Sequence, residues 1–215
     1  MKPAYKPVLC VVSSHPIKGA SGVPTGFFLA ELTHPLKVLE DAGIKTTIAS
    51  IRGGQPPVDG FDLSDPVNAW YWNETDFQQR LATTPALSEL KGADYSAVFF
   101  AGGHGTMWDF RDNQDAQRII REVYESDGIV SAVCHGPAAL VDAKLERNAS
   151  VAQIAIAWAI AKGTLPLVGA TKVHHVLDAA CASDIQLRDE EIILLEQLAA
   201  ETRVDTRGAW EKPMV

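Results

Sequence analysis

The 215-residue chain predicts an α/β domain, a parallel sheet flanked by helices. Three observations carry that expectation. Short β-branched or aromatic runs alternate with stretches of helical periodicity. The first of these runs, Val8–Val12, is apolar throughout rather than alternating, as in a strand covered on both faces. Two of them end in turns rich in glycine, one of which carries a cysteine followed by His-Gly-Pro.

Val8–Val12 reads as the first buried strand, closed by Ser13 and Ser14. Leu29, Leu36 and Leu39 keep near-helical spacing as far as Gly43, which suits a carboxyl-terminal cap. Lys45–Ile51 is a second strand, followed by the turn-rich stretch 52–60. Residues 64–91 read as a helical excursion punctuated by Pro66 and Pro85. Ala97–Ala101 is a third strand that runs into Gly102-Gly103-His104-Gly105. Gln114–Glu125 is a helix with Ile119, Ile120 and Val123 inward, and Ile129–Val133 is a fourth strand. From Ser150 to Lys162 a helix is expected, with Ser150 and Gln153 as a capping box and Val151, Ile154, Ala155 and Trp158 as its stripe. Leu165–Val168 is a short strand, Thr171–Ala180 a helix, and Asp189–Thr202 a helix with Ile192, Leu195 and Leu198 inward.

Composition narrows the class. With 47% hydrophobic and 21% charged residues the chain can bury a core. Acidic residues outnumber basic ones 27 to 19, for a net charge of −8, which argues against a nucleic-acid partner. No apolar run approaches the roughly 20 residues that span a bilayer, so no membrane partner is expected. The amino end lacks a signal peptide's apolar stretch, and a cytoplasmic location is expected. Cys10, Cys134 and Cys181 are an odd set without framework spacing, which argues against a disulfide scaffold.

The most informative stretch is Ser131-Ala-Val-Cys134-His135-Gly-Pro137. A strand ends at Cys134, the chain turns, and Pro137 opens a helix. A thiol is thereby placed at the carboxyl edge of a parallel sheet, where open α/β folds bind ligands. On spacing alone, a nucleophile and a small buried hydrophobe are both open. Gly102, Gly103 and His104 form the second element, in which glycines let backbone amides approach an oxyanion; a plain tight turn is the alternative. Glu31 is the third, among Phe27, Phe28, Leu29 and Ala30, where apolar company favours a carboxyl that keeps its proton. A solvated helix-face glutamate is the alternative there.

Together these residues resemble the ThiJ/PfpI superfamily, in its branch of glutathione-independent glyoxalases (glyoxalase III) and related stress chaperones. The resemblance covers residues 6–145. It rests on Gly26-Phe-Phe-Leu-Ala-Glu31 with Pro35, on Gly102-Gly-His-Gly-Thr-Met-Trp-Asp109, and on Ala132-Val-Cys-His-Gly-Pro-Ala138. It implies a flavodoxin-like sheet, Cys134 as nucleophile, Glu31 as its proton partner and His135 as neighbouring acid/base. The amides of Gly103 and His135 would form the oxyanion site. A small aldehyde substrate and a homodimer are implied as well, with no cofactor and no metal. Conversion of methylglyoxal to lactate would pass through a thiohemiacetal on Cys134. Lowering a thiol by about three pH units takes about 4 kcal/mol, against at most about 2 from a helix dipole, so a hydrogen bond from Glu31 is expected to supply the rest.

Residues 1–145 therefore read as a truncated domain of the class I glutamine amidotransferase-like kind. Residues 146–215 read as a foreign tail resembling the carboxyl end of an aldo-keto reductase. The matching residues are Ser150-Val-Ala-Gln-Ile-Ala-Ile-Ala-Trp158, Leu165-Pro-Leu-Val-Gly-Ala-Thr-Lys172, Ile185-Gln-Leu-Arg-Asp-Glu-Glu191 and the ending Val204–Met214. In that family the loop Gly169–Lys172 helps hold the phosphate end of NADP, but the tyrosine, lysine, aspartate and histidine of hydride transfer are missing. Leu165–Val168 is expected to complete the sheet as a fifth strand beside the fourth. The carboxylate that orients the histidine in the first family is missing too, and Asp109 and Asp142 are the candidates to replace it. His174-His175 is expected at the surface and Cys181 in a structural role. A glyoxalase-type enzyme leads; the alternatives are a redox-sensing or chaperone-like protein and an NADP-dependent reductase.

Overall fold

The computed structural model describes residues 6–141, 143, 149–166 and 172–201, in two compact units that divide between Val151 and Ala152. In the first unit the elements run β1 (Val8–Val12), β2 (Phe27–Phe28), α1 (Leu29–Asp41), β3 (Thr46–Ser50), β4 (Val58–Asp59), α2 (Pro66–Asn73), α3 (Thr75–Ala82), β5 (Ala97–Phe100), α4 (Thr106–Asp109), α5 (Gln114–Glu125) and β6 (Ile129–Ala132). A five-residue 3-10 helix, Gly136–Leu140, follows β6. The second unit holds α6 (Val151–Ala161), α7 (Val173–Cys181) and α8 (Asp189–Glu201).

The main sheet among the described residues has four parallel strands in the order β3-β1-β5-β6. All its carboxyl ends therefore lie on one edge, and the turns after β1, β5 and β6 meet there. Alternation along β1 sends Leu9 and Val11 to one face and Val8, Cys10 and Val12 to the other. The first face packs on Ile119, Ile120 and Val123 of α5 with Phe110; the second packs on Leu29, Leu32 and Leu36 of α1 with Tyr71, Phe77 and Leu81. Side-chain caps fix two helix starts: Asp65 accepts from the Val67 and Asn68 amides, and Asn113 from the Ala116 amide.

Several expectations are corrected. The fourth strand is not deeply buried: Ile129 is 67% exposed and the rest is half-buried. Leu165 and Pro166 are not in a strand, and the remainder of the expected fifth strand lies outside the described residues. A second sheet was not foreseen, in which β2 pairs in parallel with β4, Phe27 opposite Val58 and Phe28 opposite Asp59. On α6 the buried positions are Gln153 and Ala157, whereas Val151 is exposed. Gln153 donates to the Asp178 carbonyl. Leu198 of α8 is exposed, and so is Cys181, which removes the packing role expected of it. His174 is exposed and His175 half-buried. No helix among the described residues is long and apolar enough to cross a membrane.

One polar cluster ties α1, β3, α2 and α3 together. Glu40 accepts from Thr46 Oγ1 at 2.6 Å, Tyr71 Oη at 2.8 Å and Arg80 Nη1 at 3.0 Å. Burial alone would raise its carboxyl, but these bonds outweigh it and hold the group below the usual range. A depressed folded-state value means that the stabilisation is present above the unfolded-state value and is lost as pH falls through the folded one. Glu40→Gln is expected to cost about 1–3 kcal/mol in urea unfolding at pH 7. The gap from the parent should close as the titration is carried into acid.

Candidate active site

The site is a meeting of three turns. After β6 the chain reverses at Cys134, which sits at φ +56°, a left-handed conformation uncommon for a residue with a side chain. The Gly136 amide closes this elbow on the Val133 carbonyl at 2.7 Å. A Cβ on Gly136 would strike the Phe100 carbonyl, so only glycine lets the elbow lie against the end of β5. Such strain persists where the surroundings over-determine it, and it clusters at functional sites.

After β5, the Gly102 carbonyl accepts from the Phe28 amide at 3.1 Å and the Gly105 amide donates to the Gly26 carbonyl at 3.3 Å. Thr106 Oγ1 then links the two turns, donating to the Gly103 carbonyl at 2.8 Å and reaching the His135 carbonyl at 3.2 Å. Glu31 stands in the first turn of α1, where the helix dipole favours a carboxylate. Its Oε2 is buried without a hydrogen-bond partner among the described residues. A Cβ on Gly102 would collide with that oxygen and lie 2.9 Å from the Cβ of Cys134. Glu31 and Cys134 therefore converge across a space that only a glycine leaves open.

The ring of His135 turns back on the thiol, with Nδ1 3.2 Å from Sγ. Its other neighbour is His104, ring centroids 4.9 Å apart and tilted by 36°. Cys134 is exposed. Slight burial and the Glu31 carboxylate push its thiol above the ordinary value, while the Gly103 and His135 amides pull it down. The net shift is upward, opposite in direction to the lowering expected with a protonated Glu31 as hydrogen-bond donor. The helix after the elbow, a 3-10 segment of five residues, is also a weaker dipole than the α-helix foreseen. Cys10 is no competitor, since burial pushes its thiol up to about 12.

All six residues singled out from the sequence, Glu31, Gly102, Gly103, His104, Cys134 and His135, meet at this edge. The candidates for the histidine's carboxylate do not. Asp109 accepts from Ser13 Oγ at 3.0 Å and the Ser14 amide at 2.7 Å, tying β1 to α4, with burial raising its carboxyl. Asp142 lies outside the described residues, as do Gly169, Ala170 and Thr171 of the proposed phosphate loop. Among the described residues no carboxylate lies within ion-pair distance of His135. The residue that sequence reasoning missed is Asp59, whose Oδ2 lies 3.6 Å from His104 Nδ1. Its signal was faint, an aspartate before glycine in a turn-rich stretch.

The family described as DJ-1/PfpI matches residues 23–157. The glutathione-independent glyoxalase HSP31 of Saccharomyces cerevisiae is 31% identical over 142 residues, 62% of this chain. The chain spans only 58% of that relative's length. The crystal structure of glyoxalase III from Candida albicans superposes with a TM-score of 0.61 at 29% identity, covering 67% of this chain and 63% of that one. Rapid Encystment Protein 24 kDa of Francisella tularensis gives 0.65 at 35% identity, covering 68% and 66%.

Gly102→Ala tests the convergence directly. The added methyl meets a carboxylate oxygen and the Val133 carbonyl, and overpacking of this kind costs about 1–3 kcal/mol. Thermal unfolding should show that loss together with a changed iodoacetamide rate at Cys134.

Proposed function

We propose a glutathione-independent glyoxalase activity for this chain, which belongs to the DJ-1/PfpI family. The observation that carries the reading is the convergence of Glu31 Oε2 and Cys134 over Gly102. An orphaned carboxylate oxygen beside an exposed thiol is an acceptor for that thiol's proton.

In the proposed reaction Glu31 takes the Cys134 proton as sulfur bonds to the aldehyde carbon of methylglyoxal. The aldehyde oxygen, held by the Gly103 and His135 amides, takes that proton from Glu31 to give a hemithioacetal and leave Glu31 a carboxylate again. His135 or Glu31 then removes the hydrogen of that carbon, forming an enediol. Return of a proton to the neighbouring carbon leaves a thioester, the first carbon oxidised and the second reduced. Water cleaves the thioester to lactate and restores the thiol, so no external oxidant or reductant enters.

Lactate formation from methylglyoxal without glutathione is expected, and Cys134→Ser should abolish it. A folded protein that makes no lactate would overturn the reading. Glu31→Gln removes the charge that raises the thiol, so the Cys134 titration followed at 240 nm should move down. Turnover in the same variant should fall about 10²- to 10⁴-fold, the usual worth of a general base.

A further inference from the structure

The site contains a second carboxylate without an assigned role. We propose that Asp59 is its positioning residue, holding His104 against His135 and so keeping the His135 ring on the Cys134 sulfur. The inference deepens the glyoxalase reading and rests on it for the identity of the reaction, but its test does not.

Asp59 pairs with Phe28 in the small parallel ladder of β2 and β4. The Phe28 amide bonds the Gly102 carbonyl, and α1 with Glu31 begins at the next residue. One short ribbon therefore delivers two acids to the turn after β5, Glu31 through α1 and Asp59 through β4. Close packing fixes the register: Gly60, at φ +58°, lies under the Phe28 ring, where any Cβ would clash.

Asp59 is built to stay charged and still. Oδ2 accepts from Thr25 Oγ1 at 2.8 Å and lies 3.5 Å from Lys18 Nζ, while Oδ1 accepts from the Gly60 amide at 2.8 Å. Burial alone would raise this carboxyl, but Thr25, Gly60 and Lys18 together hold it below the usual range. The remaining neighbour is His104 Nδ1 at 3.6 Å. The His104 side chain is 54% exposed, so without that pairing little would keep it from swinging into solvent.

From His104 the contact passes to His135 by the tilted ring pair, and from His135 to Sγ. The charged and titratable groups along this path are Lys18, Asp59, His104, His135, Cys134 and Glu31. Asp59 approaches neither the thiol nor the substrate oxygen; it acts through the two rings. It thus takes the place of the orienting carboxylate that Asp109 does not fill, one imidazole removed.

The test reads the thiol rather than turnover. In a Cys181→Ser background, Cys134 is the remaining accessible thiol, because Cys10 is buried. Asp59→Asn should slow iodoacetamide alkylation of Cys134 at pH 8 about fivefold, a modest coupling for residues in contact. The 240 nm titration should move up. His104→Ala, at a largely exposed ring, removes the link without disturbing the other partners of Asp59, and should slow alkylation to the same extent. The double variant should be no slower than either single one, since both act on one path. An unchanged rate in His104→Ala would overturn the inference, and so would independent effects that multiply to about 25-fold in the double variant. Asp59→Asn that fails to fold leaves His104→Ala to decide. A parent protein that alkylates normally but makes no lactate would remove the glyoxalase reading and leave the role of Asp59 standing.

Discussion

Backbone surfaces at the carboxyl edge of the sheet approach one another more closely than side chains permit, and the candidate site follows from that approach. Gly26, Gly102, Gly103, Gly105 and Gly136 all stand where an added Cβ would meet backbone or side-chain atoms at less than ordinary contact distance. At Gly103 the backbone is also left-handed, at φ +102°. The result is a cavity for chemistry without a cavity in the packing, in which carboxylate, thiol and two amides share the space of one missing side chain. Two costs are concentrated there. A buried carboxylate oxygen without a partner costs about 1–3 kcal/mol, and so does a left-handed non-glycine residue. Thr106, bridging both turns, and the ladders of the sheet supply the constraint that keeps these features in place.

Much of the frame was legible because burial on both faces leaves one signature. β1 and β5 are short apolar runs, and they are the two strands of the described sheet with a neighbour on either side. α5 was legible to its ends because Asn113 caps it and its inward residues recur at helical spacing. The errors fall where context decides. Ile129–Ala132 has the composition of a central strand but occupies an edge of the described sheet. β2 and β4 are two residues each, too short for any periodicity to register. Asp59 was invisible for the same reason, since its importance comes from a ladder that brings residues 28 and 59 side by side. Asp109 misled in the opposite way: it follows the histidine turn closely in sequence, yet the serines after β1 engage both its oxygens.

The electrostatics of the elbow change what the mechanism requires. A cysteine at a helix start suggests a standing thiolate stabilised by the dipole. Here the helix is five residues of 3-10 geometry, and the carboxylate next to the sulfur opposes a second negative charge. Two amide donors work against that opposition without overcoming it. In the proposed mechanism the carboxylate beside the sulfur takes the thiol's proton as sulfur attacks, in place of a standing thiolate. Such a pair suits a reaction that begins and ends with a protonated thiol. It also protects an exposed sulfur at rest, because a thiol reacts with oxidants and alkylating agents far more slowly than a thiolate.

The short β2–β4 ribbon explains how both carboxylates come to the site together. Helix α1 and strand β4 are separate in sequence, and each alone would need its own anchor to the sheet edge. The ladder makes them one body, and the Phe28 amide joins that body to the Gly102 carbonyl. A displacement of the ribbon would move Glu31 away from the sulfur and Asp59 away from His104 at once. The acids on the two sides of the Cys–His pair are thereby placed by one constraint rather than two, which favours either a complete arrangement or none. Two residues of parallel strand form a weak element in isolation. Here they persist because Gly26 and Gly60 let the Pro57 carbonyl and the Phe28 ring close over them.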